Sequence, residues 1–297
     1  MTTVTAPRGT VRRLFVASRP VSWINTAYPF AAAYLLVAGE LDAAFVAGTL
    51  FFLVPYNLAM YGINDVFDYE SDAANPRKGG VEGALLDRRL HGTTLVASVA
   101  LCLPFIVVLV AIGNPVSWIV LAVSVFAVAA YSVPGLRFKE VPFLDSATSS
   151  IHFVSPAVYG LVLAGAVFTP RLVVLLLAFF LWGVASHAFG AVQDIEPDRA
   201  GGISSVATVM GAAWTVRFAI GCWAAAGVLM LFTAWPGQLA SALVIPYIGL
   251  SVPYVAISDA DSARAHHGWR WFLAANYLCG FLATVLLIVY WWEGARP

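Results

Sequence analysis

The sequence predicts an all-α integral membrane protein, nine transmembrane helices bundled around a central cavity with cytoplasmic cap loops. Three observations carry that expectation. Of 297 residues, 61% are hydrophobic and only 11% charged, with a mean hydropathy of +0.84, whereas a soluble domain carries about 25% charged residues. The apolar residues gather in runs of about 20, the length that crosses a bilayer core of about 30 Å. The basic residues lie almost wholly on one side of those runs. Sixteen basic and sixteen acidic side chains cancel, so no charge excess argues for a nucleic-acid partner. Cys102, Cys222 and Cys279 are far apart within apolar stretches, which speaks against a disulfide or thiolate metal site and for packing roles.

In chain order the expected spans are 20–38, 43–63, 93–112, 115–133, 143–165, 171–191, 213–234, 237–257 and 270–292. The first follows Arg8, Arg12, Arg13 and Arg19 as a secretion signal would, but its apolar run is too long for a typical signal core, so it reads as an anchored helix. Pro29, Pro55, Pro104, Pro156, Pro246 and Pro253 fall inside spans, where neighbouring helices satisfy the backbone groups a proline frees. Continuous apolar runs without two-residue alternation argue against a β-barrel.

Placing residues 1–19 in the cytoplasm puts 14 of the 16 basic residues on that side, leaving only Arg171 and Arg296 outside. The positive-inside rule therefore predicts a protein of the inner or plasma membrane with a cytoplasmic N-terminus, its whole length of 1–297 forming one domain. The long connections 64–92, 134–142, 193–212 and 258–269 then share the cytoplasmic face. Long, polar, glycine-containing loops on one face, opposite minimal turns, predict a site on that face.

Two acidic clusters supply its chemistry. Asn64, Asp68 and Asp72 follow one another at i, i+4 and i+8 where the second span ends, and share one helical face. Asp194 and Asp198 repeat the spacing at the end of the sixth. Like charges four apart destabilise a helix, and carboxylates at the membrane border are costly, so two such clusters call for a bridging cation. Hard oxygen donors with room for water and phosphate suit Mg²⁺, whereas the glycine spacing of a calcium loop and the histidines and thiols of a zinc site are missing. Arg77 and Lys78 follow the first cluster, Arg199 follows the second, and Arg137 and Lys139 lie in the loop between the fourth and fifth spans. All five are candidate diphosphate clamps, while Arg12, Arg13, Arg88 and Arg89 read as topology signals alone.

Membrane, Mg²⁺ and diphosphate together point to a prenyl diphosphate whose allylic C–O bond ionises in a dry cavity. Tyr61, Phe67, Tyr69 and Tyr131 are the aromatic residues nearest the polar loops and candidates to face the cation. Asp65 is a candidate further metal ligand, or a support for one.

These residues resemble the UbiA-type intramembrane prenyltransferases, whose NxxxDxxxD and DxxxD motifs match Asn64, Asp68, Asp72 and Asp194, Asp198. Tyr131-Ser132-Val133-Pro134-Gly135-Leu136-Arg137-Phe138-Lys139 is similar to that family's tyrosine, proline and basic loop. A narrower likeness, in Ser18–Pro29, Pro55–Ile63 and Asn75–Gly83, is to the lycopene elongase branch that makes C50 carotenoids. That resemblance implies a Mg²⁺-dependent transfer from dimethylallyl diphosphate to the terminal double bond of lycopene or a related C40/C45 carotenoid. The resulting tertiary cation then loses a proton or captures water. No base is legible, and diphosphate itself could take the proton.

Other polar residues leave alternatives open. Asn57, seven residues before Asn64, either lines the cavity or bonds between helices. Asn25 either touches substrate or caps its own helix. His152 and His187 read as buried structural histidines, because no partner for either is legible. The rival functions are a UbiA-type transfer to an aromatic, quinone or chlorophyll-type acceptor, and a cation or metabolite transporter. Asp68→Ala or Asp194→Ala is expected to abolish turnover without disturbing folding.

Overall fold

A computed structural model describes residues 8–74 and 85–294. Within them the chain is helical throughout, in the order α1 Arg8–Ala17, α2 Ile24–Ala38, α3 Ala43–Leu53, α4 Pro55–Phe67, α5 Tyr69–Ala74, α6 His91–Ile112 and α7 Pro115–Ser132. There follow α8 Leu144–Leu163, α9 Pro170–Ala191, α10 Ile195–Ala200, α11 Val206–Met210, α12 Ala212–Met230, α13 Ile245–Ser251 and α14 Ala265–Trp292. No strand occurs among the described residues.

Six helical segments among the described residues have the length and apolarity to cross a membrane, and a seventh joins them if the α1–α2 pair, bent by 58°, counts as one span. The expectation of nine is thus met only in part. Two of the expected spans depart for physical reasons. The run 143–165 is helical as α8, but Asp145, Ser146, Thr148, Ser150, His152 and Ser155 make it too polar to register as a span. All six are buried, so this helix turns its polar side chains inward and packs against α2, α7 and α9. The run 237–257 is broken into a 3-10 segment Gly237–Val244, the short α13 and a second 3-10 turn Val252–Tyr254, with Pro246 and Pro253 at the first turns of the last two.

Two aromatic cores hold the bundle. Phe30, Phe51, Phe52, Tyr56 and Tyr159 join α2, α3, α4 and α8. Phe189, Trp223, Tyr247 and Phe272 join α9, α12, α13 and α14. Close approach of α8 to α2 depends on Gly160, where an added Cβ would lie 2.7 Å from the Phe30 carbonyl oxygen. In contrast α6 and α14 turn most of their surface outward, Val96, Val99, Val107, Phe281 and Ile288 among it, as helices facing lipid do.

Asp42 closes the N-terminus of α3, its Oδ1 accepting the Phe45 N–H at 2.8 Å and its Oδ2 the Tyr34 hydroxyl at 2.7 Å. The Phe45 N–H holds this carboxyl below the usual carboxylate range. Asp42→Ala is expected to lower stability by about 1–2 kcal/mol at neutral pH. A depressed carboxyl stabilises above its unfolded value of about 3.9 and loses that contribution as pH falls through the folded value. Thermal unfolding in detergent at several pH values should therefore show the gap between variant and parent closing in acid.

Candidate functional site

The first acidic motif sits on a helix break. Asp68 ends α4 with φ −100° and ψ 1°, its N–H bonded to the Asn64 carbonyl at 2.9 Å. The chain then re-enters helix in α5, where the Asp72 N–H bonds the Asp68 carbonyl at 2.8 Å. Asp194 repeats this geometry, with φ −104° and ψ 2°, between a 3-10 turn that continues α9 and the start of α10. Each motif is thus a long helix, an aspartate in the sparsely populated bridge region, and a short helix carrying the second aspartate four residues on, Asp72 or Asp198.

Asp68 is 5% exposed and is paired with Lys139, while Arg137 Nη2 lies 3.8 Å from the same oxygen. Burial pushes its carboxyl above the usual range and Lys139 pulls it back. Arg137 reaches inward from a left-handed residue, φ 44°, and also pairs with Glu140. Asn64 accepts a hydrogen bond from Ser132 Oγ at 3.0 Å, which ties the end of α4 to the end of α7. The basic loop 134–142 is thereby folded over the first motif.

Asp65, a candidate metal ligand or a support for one, is met by a cation from the N-terminal part of the chain. Its Oδ1 takes the Arg19 guanidinium at 2.8 Å, with 1% of the Asp65 side chain exposed. Arg19 lies over the Tyr61 ring at 4.3 Å and has φ 50°. This pair joins α4 to the turn after α1, and it occupies both Asp65 and Tyr61. Asn57 is fully buried and donates to Thr26 Oγ1 and the Phe52 carbonyl, each at 2.7 Å. It takes the helix-bonding role of its two readings. Asn25 is half-buried in the first turn of α2. Arg77 and Lys78 lie outside the described residues.

Arg199 is likewise committed elsewhere. Its Nη1 meets Asp259 Oδ2 at 2.7 Å and its Nη2 the Thr208 carbonyl at 2.7 Å. It pins α10 to α11 and to the turn before α14, a structural use that its nearness to Asp198 in sequence does not reveal.

The histidines have partners after all. His187 is bonded through Nε2 to the Tyr131 hydroxyl at 3.0 Å and through Nδ1 to Ser146 Oγ at 3.0 Å. It lies within electrostatic reach of Asp145 and Asp194, and Tyr131 within that of Asp145 and Asp68. The Tyr131–His187 bond thus joins α7 to α9, with Ser146 of α8 on the other side of the imidazole. Asp145, absent from the sequence reading, accepts the Val206 N–H at 2.7 Å and the Ser146 N–H at 2.7 Å. An acid inside the expected span 143–165 is the legible signal for it.

Among the described residues no three carboxylate, histidine or cysteine side chains converge as a ready-made metal cage. The donor chemistry nevertheless fits Mg²⁺, which binds through one or two carboxylates completed by substrate phosphates and water. Lys139 and Arg137 balance the charge of Asp68.

A helical membrane bundle with paired aspartate breaks at one end and a basic loop folded on them has the architecture of an intramembrane prenyltransferase. Residues 26–285 match the UbiA prenyltransferase family, and the chain belongs to that family. It is 55% identical over 281 residues to the C(50) beta-cyclic carotenoids biosynthesis protein LbtBC of Dietzia sp., a match covering 94% of this chain and 65% of that protein. The chain thus spans just under two thirds of the Dietzia protein. A lycopene elongase/hydratase of Corynebacterium glutamicum is 48% identical over 278 residues, covering 94% of this chain and 97% of the other. The fold is that of a UbiA homologue from Archaeoglobus fulgidus solved with DMAPP and Mg²⁺, at a TM-score of 0.65 and 18% identity over 90% of this chain and 98% of that one. The chain is an integral membrane prenyltransferase.

Proposed function

We propose that the protein is a lycopene elongase, transferring the C5 unit of dimethylallyl diphosphate to the end of lycopene or a related C40/C45 carotenoid. Asp68 supports the diphosphate site best, as a buried carboxylate whose charge is met by Lys139 and Arg137 from a single loop. The choice of acceptor rests on the full-length likeness to the Corynebacterium lycopene elongase/hydratase. The choice of donor is supported by the DMAPP and Mg²⁺ held in the Archaeoglobus fold neighbour.

In this reading Asn64, Asp68, Asp72, Asp194 and Asp198 hold Mg²⁺. The ion, when bound, offsets the charge that builds on the departing diphosphate. Lys139 and Arg137 turn from Asp68 to the phosphate oxygens, and Arg77 and Lys78 add to them. Arg199 keeps the second motif in place by its bonds to Asp259 and Thr208 instead of touching phosphate. The allylic C–O bond breaks with its electron pair going to the diphosphate oxygen. Tyr131 turns its ring to the resulting cation. The terminal double bond of the polyene then supplies the pair for the new C–C bond. The whole chain 1–297 acts as one domain, with residues 1–19 and the acidic ends of the helices on the cytoplasmic side.

Expression in a lycopene-producing host tests the acceptor. New C45 and C50 pigments are expected. Unchanged lycopene beside an altered quinone or chlorophyll pool would replace this reading with the aromatic-acceptor one.

A further inference from the structure

Deeper in the bundle than the acidic ends lies a histidine with one nitrogen to spare. His152 of α8 is 3% exposed and sits between two tyrosines. Its ring stands edge-on to Tyr131 with centroids 5.5 Å apart, and its Nδ1 is 3.4 Å from the Tyr56 hydroxyl. Tyr56 is eight residues before Asn64 on α4, on the order of 12 Å along the helix at 1.5 Å per residue.

The Tyr56 hydroxyl also lies 3.4 Å from the Ser124 carbonyl oxygen, which can only accept. A Tyr56 hydroxyl that donates its one proton to this carbonyl presents its oxygen to His152, and Nδ1 then carries the N–H. A neutral imidazole has a single N–H. Nε2 is then a bare lone pair, and it is buried without a hydrogen-bond partner among the described residues. Leaving a buried acceptor unsatisfied costs about 1–3 kcal/mol, and nothing in the packing of α8 accounts for that cost.

The position suits the end of the reaction. Tyr131 adjoins Ser132, which bonds Asn64, so His152 is one aromatic ring away from the metal-binding end. A C5 cation formed beneath the diphosphate and joined to a polyene end leaves its new tertiary cation deeper than the acidic ends. We propose that His152 Nε2 is the base that terminates the transfer. It takes the proton from a carbon next to the tertiary cation. That C–H bond's electron pair becomes the new C=C bond and the proton forms Nε2–H. The imidazolium is held by its Nδ1–H bond to Tyr56 and resets by passing a proton to diphosphate or water. This assignment rests on the elongase reading.

The test uses the purified full chain with dimethylallyl diphosphate, Mg²⁺ and lycopene, measuring diphosphate released and C45 alkene formed. His152→Asn keeps a donor towards Tyr56 and removes the lone pair. The ratio of alkene to diphosphate is expected to fall about 10²-fold, the difference appearing as alcohols from water capture, while diphosphate release continues. If that variant does not fold, Tyr56→Phe frees the ring to place its proton on either nitrogen and should lower the same ratio several-fold. An unchanged ratio in a folded variant, with an active parent, overturns the role of His152 alone. A parent protein that makes no C45 product from lycopene overturns the elongase reading and this role with it.

Discussion

Asp68→Asn is expected to lower turnover by roughly 10²–10³-fold, the loss typical when one preorganised electrostatic group is removed from a dry site. The asparagine matches the aspartate in volume and keeps an oxygen beside Lys139, but carries no charge with which to hold a cation. Both kcat and kcat/KM should fall, and the Mg²⁺ concentration needed for half-maximal rate should rise, because the loss is of metal-dependent stabilisation of the departing diphosphate. The alanine variant suggested by sequence is the poorer probe. Sequence reasoning treats Asp68 as a ligand without packing load, yet its side chain is 7% exposed against a Lys139 that is 12% exposed. Truncating it strands a buried ammonium, so some loss of stability accompanies the loss of activity. Rates should be compared per folded molecule, with thermal unfolding in detergent as the control.

The second large effect is structural. Asp65→Ala leaves the Arg19 guanidinium, 18% exposed, without its carboxylate. Removing one partner of a buried pair costs about 3–5 kcal/mol. The thermal midpoint should drop well below that of the parent, and residues 8–17, joined to α4 through this contact, should become sensitive to protease. Replacing both partners, Arg19→Met with Asp65→Leu, should recover part of the loss, since it removes the stranded guanidinium. Equal midpoints for Asp65→Ala and the parent would show that the Arg19 contact contributes nothing.

The contrast between these two aspartates shows how far sequence carried the site. Asp68 and Asp194 declare themselves by spacing, because the i, i+4 repeat of acids is local and the helix places them on one face. Arg137 and Lys139 are legible for the same reason, being the polar residues of a short loop. Asp65 and Arg19 are 46 residues apart, and no periodicity links an α4 side chain to a turn near the N-terminus. The partners of Arg199, Thr208 and Asp259, come from later segments, and its nearness to Asp198 in sequence gives no sign of them. His187 gains Tyr131 from α7 and Ser146 from α8 only when three helices meet.

The fold divides in the same way. Helices that face lipid, α6 and α14 above all, are long apolar runs and are legible from hydropathy. α8 is surrounded by protein, so it tolerates Asp145, Ser146 and His152 and loses the hydropathy signal while remaining a full-length helix. The run 237–257 keeps the apolar composition of a span, but its prolines divide it into short pieces. Hydropathy reports what touches lipid. It says little about a helix whose neighbours are other helices.

In the proposed reaction the acidic ends of α4 and α9 bind a divalent ion with a prenyl diphosphate and release pyrophosphate from it. The direct measurement is pyrophosphate release by the purified protein from dimethylallyl diphosphate in the presence of lycopene, with Mg²⁺ and with excess chelator. Release that requires Mg²⁺, keeps step with C45 product and is lost in Asp68→Asn is the predicted result. Release that persists in chelator, or at the parent rate in that variant, would contradict it.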